Sequence, residues 1–183
     1  MTVREYTRFQ LAENQLEAAI GLFIVGRDRF SVITLAGAAD VILSRLALDN
    51  SESNFTDTLM QGEIRSGAVA RSRVDHGREI NDVLFINDMK HMDKDEDGFI
   101  DMDPDECAFG AIMKAMVNYI AIVGRKNSLA TAFLLWVNKN IDSKKYNVSS
   151  DPNWQPEDAQ VIPPIEGEKG KRLGWAVSSR ARE

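Results

Sequence analysis

Apolar residues recur at three- and four-residue intervals in two segments near the start of the chain, a spacing that places them on one helix face. In residues 5–26, Phe9, Leu16, Ile20 and Phe23 lie on one such face. In residues 28–49 a longer apolar stripe contains several alanines, which allow helices to approach closely. Gly26 separates the two segments, and glycine tolerates the left-handed conformation found past helix ends. The pattern predicts an antiparallel αα-hairpin.

The apolar pattern weakens after this hairpin and then returns. Residues 49–56 form a polar break, and residues 57–76 predict loop plus some helix. From Gly77 to Met92 the helical period is clear again, which predicts a third regular helix. One stripe of this helix would carry Ile80, Leu84, Asn87 and His91.

Two further helices are predicted beyond residue 102. Asp103 can cap the first of them and Pro104 suits its first position. That helix is apolar nearly all round as far as Val123, so we expect it to be central. Ser128 is the predicted cap of the last helix, in residues 128–142.

The composition changes from residue 144 onward. Four of the five prolines lie there with few aliphatic residues, so this segment lacks the means to form a core. The sequence therefore predicts an all-α fold. It would contain a single bundle of about five helices in residues 1–143, starting with the αα-hairpin, and an extended or partly disordered tail in residues 144–183.

The overall composition is that of a soluble globular domain, with 44% hydrophobic and 27% charged residues among 183. The most apolar run, 107–124, is interrupted by Lys114 and Asn118, so no membrane span is expected. The polar N-terminus and the single cysteine, Cys107, favour a cytoplasmic location.

The net charge of −6 is concentrated in one short segment. Residues 93–106 hold eight carboxylates and one lysine, a net −7, so the rest of the chain sums to +1. This distribution gives no signal for DNA binding, which needs a basic surface.

Carboxylates stand at alternate positions of this acidic segment, in Asp93, Asp95 and Asp97, and Gly98 follows them. Calcium takes six to eight oxygen ligands, which alternate carboxylates in a tight loop can supply. The segment resembles an EF-hand loop over nine residues. That resemblance adds the Phe99 carbonyl and Asp101 as ligands.

The resemblance also implies that Ile100 packs inward. Pro104 stands where the family has its last bidentate glutamate. The alternative to a calcium site is a solvated acidic turn.

The order of elements in residues 13–142 resembles that of HEPN-domain proteins. These are small all-α proteins of prokaryotic defence and toxin systems, and some of them cut RNA. The resemblance rests on the alanine-rich αα-hairpin followed by helices whose junction carries a polar motif. It implies a catalytic arginine, often followed by asparagine, a short distance before a histidine.

Asn87 and His91 match the asparagine and histidine of that signature. The arginine positions hold apolar residues, Leu84, Phe85 and Ile86. Lys90 is a candidate substitute for the missing cation. The alternative is structural, with Asn87 and His91 bonding each other or nearby backbone from the core stripe. A looser match, Arg71 with His76, falls in a segment without a clear helical pattern.

Three functions remain open from the sequence. The leading hypothesis is a non-catalytic helical interaction module of HEPN-like type that forms a homodimer, because the helices hold more apolar surface than so small a bundle buries alone. The second is an RNA-binding or RNA-cleaving protein using Asn87, Lys90 and His91. The third is a calcium-binding module using the loop 93–101.

Overall fold

The fold is all-α, as predicted, and consists of six helices in the residues that the structure describes. A computed structural model describes residues 3–67, 72–91 and 98–142, and no strand occurs among them. The helices are α1 Arg8–Ile24, α2 Arg29–Asp49, α3 Phe55–Arg65, α4 Arg73–Val83, α5 Pro104–Val123 and α6 Ser128–Asn140. The sequence predicted about five, because it left α3 within a weakly patterned stretch.

The chain divides into two compact units after Gly124. The first unit holds α1 to α5. In the second, α6 is capped by Asn127 rather than by the predicted Ser128, because the Asn127 side chain accepts hydrogen bonds from the backbone N–H groups of Leu129 and Ala130. Phe133 and Trp136 of α6 stack with parallel rings. The predicted tail, 144–183, lies outside the described residues.

The αα-hairpin of α1 and α2 is confirmed. Thr7 caps α1 through a reciprocal pair of hydrogen bonds with Gln10. Gly26 adopts a φ of +69° past the end of α1, and the Arg27 N–H bonds back to the Leu22 carbonyl, which closes the helix. Residues 25–28 then return the chain so that α2 packs along α1.

Helix α5 is the central element of the first unit, as expected. Asp103 caps it through bonds from the N–H groups of Asp105 and Glu106, with Pro104 in the first turn. It packs most extensively against α2, and also against α1 and α3. Its buried apolar residues are Cys107, Ala108, Phe109, Ala111, Ile112, Ala115, Met116 and Tyr119.

Helices α2 and α5 are both long and apolar enough to cross a membrane by length and composition alone. Core helices of soluble proteins pass the same test. The expectation that the chain has no membrane span therefore stays a prediction.

The helix predicted from Gly77 to Met92 is wrong at both ends. Helix α4 begins at Arg73 and stops at Val83, and residues 84–90 form turns. The stop is a Schellman arrangement in which the N–H of Ile86 bonds to the Asn81 carbonyl and that of Phe85 to the Asp82 carbonyl. Phe85 takes the left-handed position with a φ of +54°, where glycine is usual, so no glycine marks the end of this helix in the sequence.

Tertiary packing accounts for this early stop. Ile86 is 2% exposed, and a Cβ added at Gly37 of α2 would lie 2.6 Å from its Cγ2 atom. Leu84 lies equally close to Gly110 of α5, with 2.5 Å from such a Cβ to its Cδ2 atom. Two glycines therefore open space for the two apolar side chains of the turn, and a continued helix would carry Ile86 out of reach of Gly37.

Candidate functional site: a buried polar network

A charged pair lies in the interface between α2 and α5. The Lys114 Nζ atom is 2.5 Å from Asp40 Oδ2, and the two side chains are 5% and 6% exposed. Charged side chains are seldom buried to this degree unless they are paired, because leaving water costs several kcal/mol per ion. The pair is therefore the main electrostatic feature of the core.

Two asparagines add further hydrogen bonds to this pair. Asn118, one turn after Lys114 on α5, donates from Nδ2 to Asp40 Oδ1 at 2.7 Å. Asn81 of α4 accepts from Lys114 Nζ through Oδ1 at 2.6 Å. Both carboxylate oxygens of Asp40 are thus bonded, one to an ammonium and one to an amide.

The network continues to the start of α3. Asn118 Oδ1 accepts the backbone N–H of Phe55 at 2.7 Å, one of the otherwise unpaired N–H groups of the first helical turn. Asn54, which caps α3, also donates to the Ser44 hydroxyl of α2 at 2.6 Å. Four helices are therefore joined through one set of buried and half-buried polar groups.

The network is arranged to hold helices together and offers little to a substrate. Asp40 and Lys114 are 4% exposed and Asn118 is 1% exposed, so these side chains have almost no contact with solvent. Replacing a buried ion pair with apolar residues is often neutral or stabilising, so this pair is weak evidence of a gain in stability.

Sequence reasoning missed this network. Lys114 and Asn118 counted only as interruptions of an apolar run, and Asp40 stood unremarked within the apolar stripe of α2. The available signal was that these polar residues fall on the otherwise apolar faces of two helices, one of which was expected to be central. Such residues are expected to be partnered when buried.

The predicted candidates Asn87, Lys90 and His91 lie in the turns after α4 and not on a helix. Asn87 is half-buried and donates from Nδ2 to Asp82 Oδ1 at 2.9 Å, while Lys90 and His91 are exposed. The His91 N–H bonds to the Asn87 carbonyl at 3.1 Å. A shared core-facing stripe for Asn87 and His91 is therefore wrong, since α4 ends before it reaches them.

His76, from the looser match, lies in α4 where no clear helix was expected. It is 4% exposed, and both ring nitrogens lack a hydrogen-bond partner. Its Nε2 atom is 3.7 Å from Glu63 Oε1 of α3, beyond hydrogen-bonding distance. Arg71, its predicted partner, lies outside the described residues.

The calcium-loop prediction falls partly outside the described residues, which exclude Asp93, Asp95 and Asp97. Gly98 has a φ of +81°, as a tight turn at that position requires. Phe99 and Asp101 are exposed, and Ile100 is 44% exposed rather than packed inward. Within the described ranges, no group of three or more His, Cys, Asp or Glu side chains is placed to hold a metal ion.

Comparison of the chain with protein-family models, with curated proteins and with solved structures finds no match.

Proposed function

We propose that this chain is a non-catalytic helical interaction module of HEPN-like type that associates with a second copy of itself. The observation that carries the proposal is the outer face of α2. Phe30 and Val41 are 54% and 60% exposed there, at spacings that place them on one side of the helix. Ala38 and Leu48 lie on the same side and are half-buried.

This face suits pairing with an identical face. In an antiparallel arrangement about a two-fold axis level with the middle of α2, Phe30 of one copy would meet Leu48 of the other. Meanwhile the opposite side of α2 is already buried in the core, with Val32, Ala36 and Leu43 fully buried.

The core supports the non-catalytic part of the proposal. Its charged and amide side chains bond one another across α2, α4 and α5, which uses the groups that acid–base chemistry would need free. The positions of the HEPN arginine hold Leu84, Phe85 and Ile86, and two of these pack against glycines of the core helices.

Light scattering over a range of protein concentrations tests the proposal. We expect a mass approaching twice 20.5 kDa as concentration rises. Val41→Glu should return the chain to a monomer, because a charge would be buried in the pairing. Val74→Glu is the matched control, since Val74 is 70% exposed on α4. A monomer at every concentration would contradict the proposal.

RNA binding through Asn87, Lys90 and His91 is the first alternative, and the exposure of Lys90 and His91 favours it. Asp82 weakens it, because its carboxylate bonds Asn87 and would repel a phosphate there. Incubation with RNA, comparing the chain with His91→Ala, tests it: cleavage that the variant loses would support it.

Calcium binding by the loop 93–101 is the second alternative, and the left-handed φ of Gly98 favours it. Calorimetric titration with calcium should then show binding that Asp93→Ala with Asp97→Ala removes. An unchanged heat of calcium binding in this double variant would contradict calcium binding by the loop.

A further inference from the structure

Helices α3 and α4 differ from the rest of the first unit in how little apolar surface they bury. Each has a single buried residue, Thr56 in α3 and His76 in α4. In contrast, α2 has eight buried residues and α5 has ten. Because apolar burial is the main favourable term in folding, α3 and α4 contribute and receive little of it.

The bonds that join α3 and α4 to α2 and α5 are mainly polar and lie near the helix ends. They are Asn54 to Ser44, the Phe55 N–H to Asn118, and Lys114 to Asn81. When one of these hydrogen bonds breaks, water can replace the lost partner, so breaking it costs little net free energy. His76 adds no hydrogen bond from its ring, although the ring is buried between α3 and α4.

The core helices keep their own bonds when these contacts are broken. Asp40 lies on α2, and its two partners Lys114 and Asn118 lie on α5, at 2.5 Å and 2.7 Å. Removal of α3 and α4 therefore leaves Asp40 paired. The surface of α2 and α5 that is uncovered around Asp40 is polar. Removal of any other helix of this unit would expose a large apolar surface instead.

Helices α3 and α4 also have bonds of their own and one apolar attachment. Arg73 of α4 donates to Asp57 of α3 at 2.8 Å. After α4, Leu84 and Ile86 pack against Gly110 and Gly37, and they hold the end of the segment to the core helices.

We propose that α3 and α4 open together from α2 and α5, turning about residues 84–86, and that this opening brings Lys114 and Asp40 to the surface while α1, α2 and α5 stay folded. Local openings of this kind have free energies below that of global unfolding. The device gives the chain a second, open form with an accessible amine and carboxylate. This opening does not depend on the proposed self-association through the outer face of α2.

Two measurements on the full chain test the opening. Hydrogen exchange followed by mass spectrometry should show the amides of α3 and α4 exchanging at least about tenfold faster than those of α2 and α5. Acetylation with an N-hydroxysuccinimide ester should modify Lys114 without global unfolding. Lys90, which is exposed, serves as the internal reference for reagent activity.

A variant separates the opening from general instability. Asn81→Ala removes the bond from Lys114 and should raise exchange in α3 and α4, and acetylation of Lys114, by about tenfold. Exchange in α1 and α2 should not change. Val74→Ala, an exposed change on α4, is the matched control and should leave the rates unaltered.

Urea dependence decides the outcome even if Asn81→Ala fails to fold. Acetylation of Lys114 through a local opening rises only slightly with urea, whereas acetylation through global unfolding rises with the full slope of the unfolding transition. The proposal is overturned if Lys114 shows the full slope in the unmodified sequence. It is also overturned if α3 and α4 exchange no faster than α5.

Discussion

Lys114 on α5 and Asp40 on α2 are 74 residues apart in the chain, yet they form an ion pair of 2.5 Å with both side chains at least 94% buried. Among the described residues neither side chain forms a second ion pair, so each charge depends on the other for compensation. The consequences of removing one and of removing both should therefore differ.

Lys114→Met should lower the free energy of unfolding by about 3–5 kcal/mol, because it leaves the Asp40 carboxylate buried without its cation. Denaturation in urea measures the loss. Lys114→Met combined with Asp40→Leu should recover only part of it, since no charge stays buried alone but Asn118 Nδ2 loses its acceptor. A single variant that costs less than about 1 kcal/mol would mean that water reaches Asp40 in the folded chain.

Gly37→Ala should destabilise the fold by about 1–3 kcal/mol, because its Cβ would come within 2.6 Å of Ile86 Cγ2 on a stiff β-branched side chain. Gly110→Ala should cost less, since the contacted atom is the end of the more flexible Leu84. Thermal unfolding measures both changes.

Gly21→Ala is the control for these variants. A Cβ at Gly21 in α1 would meet nothing within 4 Å, so alanine should stabilise the helix by up to about 1 kcal/mol. If Gly37→Ala is as well tolerated as Gly21→Ala, Ile86 does not pack against Gly37 in the folded chain.

Asp28 at the start of α2 should titrate below the ordinary range for an aspartate. The Ser31 hydroxyl and the N–H groups of Ser31 and Phe30 bond to its carboxylate and lower its pKa from 3.8. A group with a lowered folded pKa contributes stability above its unfolded pKa, and that contribution is lost as pH falls through the folded value. An NMR titration of the carboxyl carbon measures the shift.

Ser31→Ala should raise the pKa of Asp28 toward 3.8, because it removes the largest cause of the shift. Thr34→Ala is the matched control, since the Thr34 hydroxyl bonds to the Phe30 carbonyl instead. Equal titration curves for Ser31→Ala and the unmodified sequence would contradict the assignment.

The Cys107 thiol should be unreactive in the folded chain. Burial raises its pKa above 9.0, and the neighbouring Glu106 and Asp103 raise it further. We expect a disulfide reagent at about pH 8 to react at least about tenfold more slowly than with the chain in concentrated guanidinium chloride.

The same raised pKa makes stability depend on alkaline pH. The contribution of Cys107 to the free energy of unfolding is complete below the pKa of the thiol in the unfolded chain. It is lost as pH rises through the pKa in the folded chain. Cys107→Ser should flatten that part of the pH profile. Equal reaction rates in the folded and unfolded chains would show that Cys107 is open to solvent.

The parts of the fold that sequence predicted are those fixed by neighbouring residues. Gly26 ends α1, and Asp103 with Pro104 begins α5, because caps and stops act within a few residues. The end of α4 was missed because Phe85 adopts the left-handed conformation. That choice is made by contacts of its neighbours with Gly37 and Gly110, which lie on other helices.

The candidate site was harder to predict for the same reason. Asp40, Lys114 and Asn81 come from three helices, and nothing in the spacing of any one helix identifies the other two. The predicted residues Asn87 and His91 depended on a helical period, and the period stopped at Val83.

The contact between Ile86 and Gly37 also limits which substitutions positions 37 and 86 can accept. The space at position 37 is already filled by the methyl group of residue 86, so one position can grow only as the other shrinks. Among descendants of this chain, alanine at 37 should appear together with valine or alanine at 86. The two side chains occupy one space, so selection would act on their combined volume.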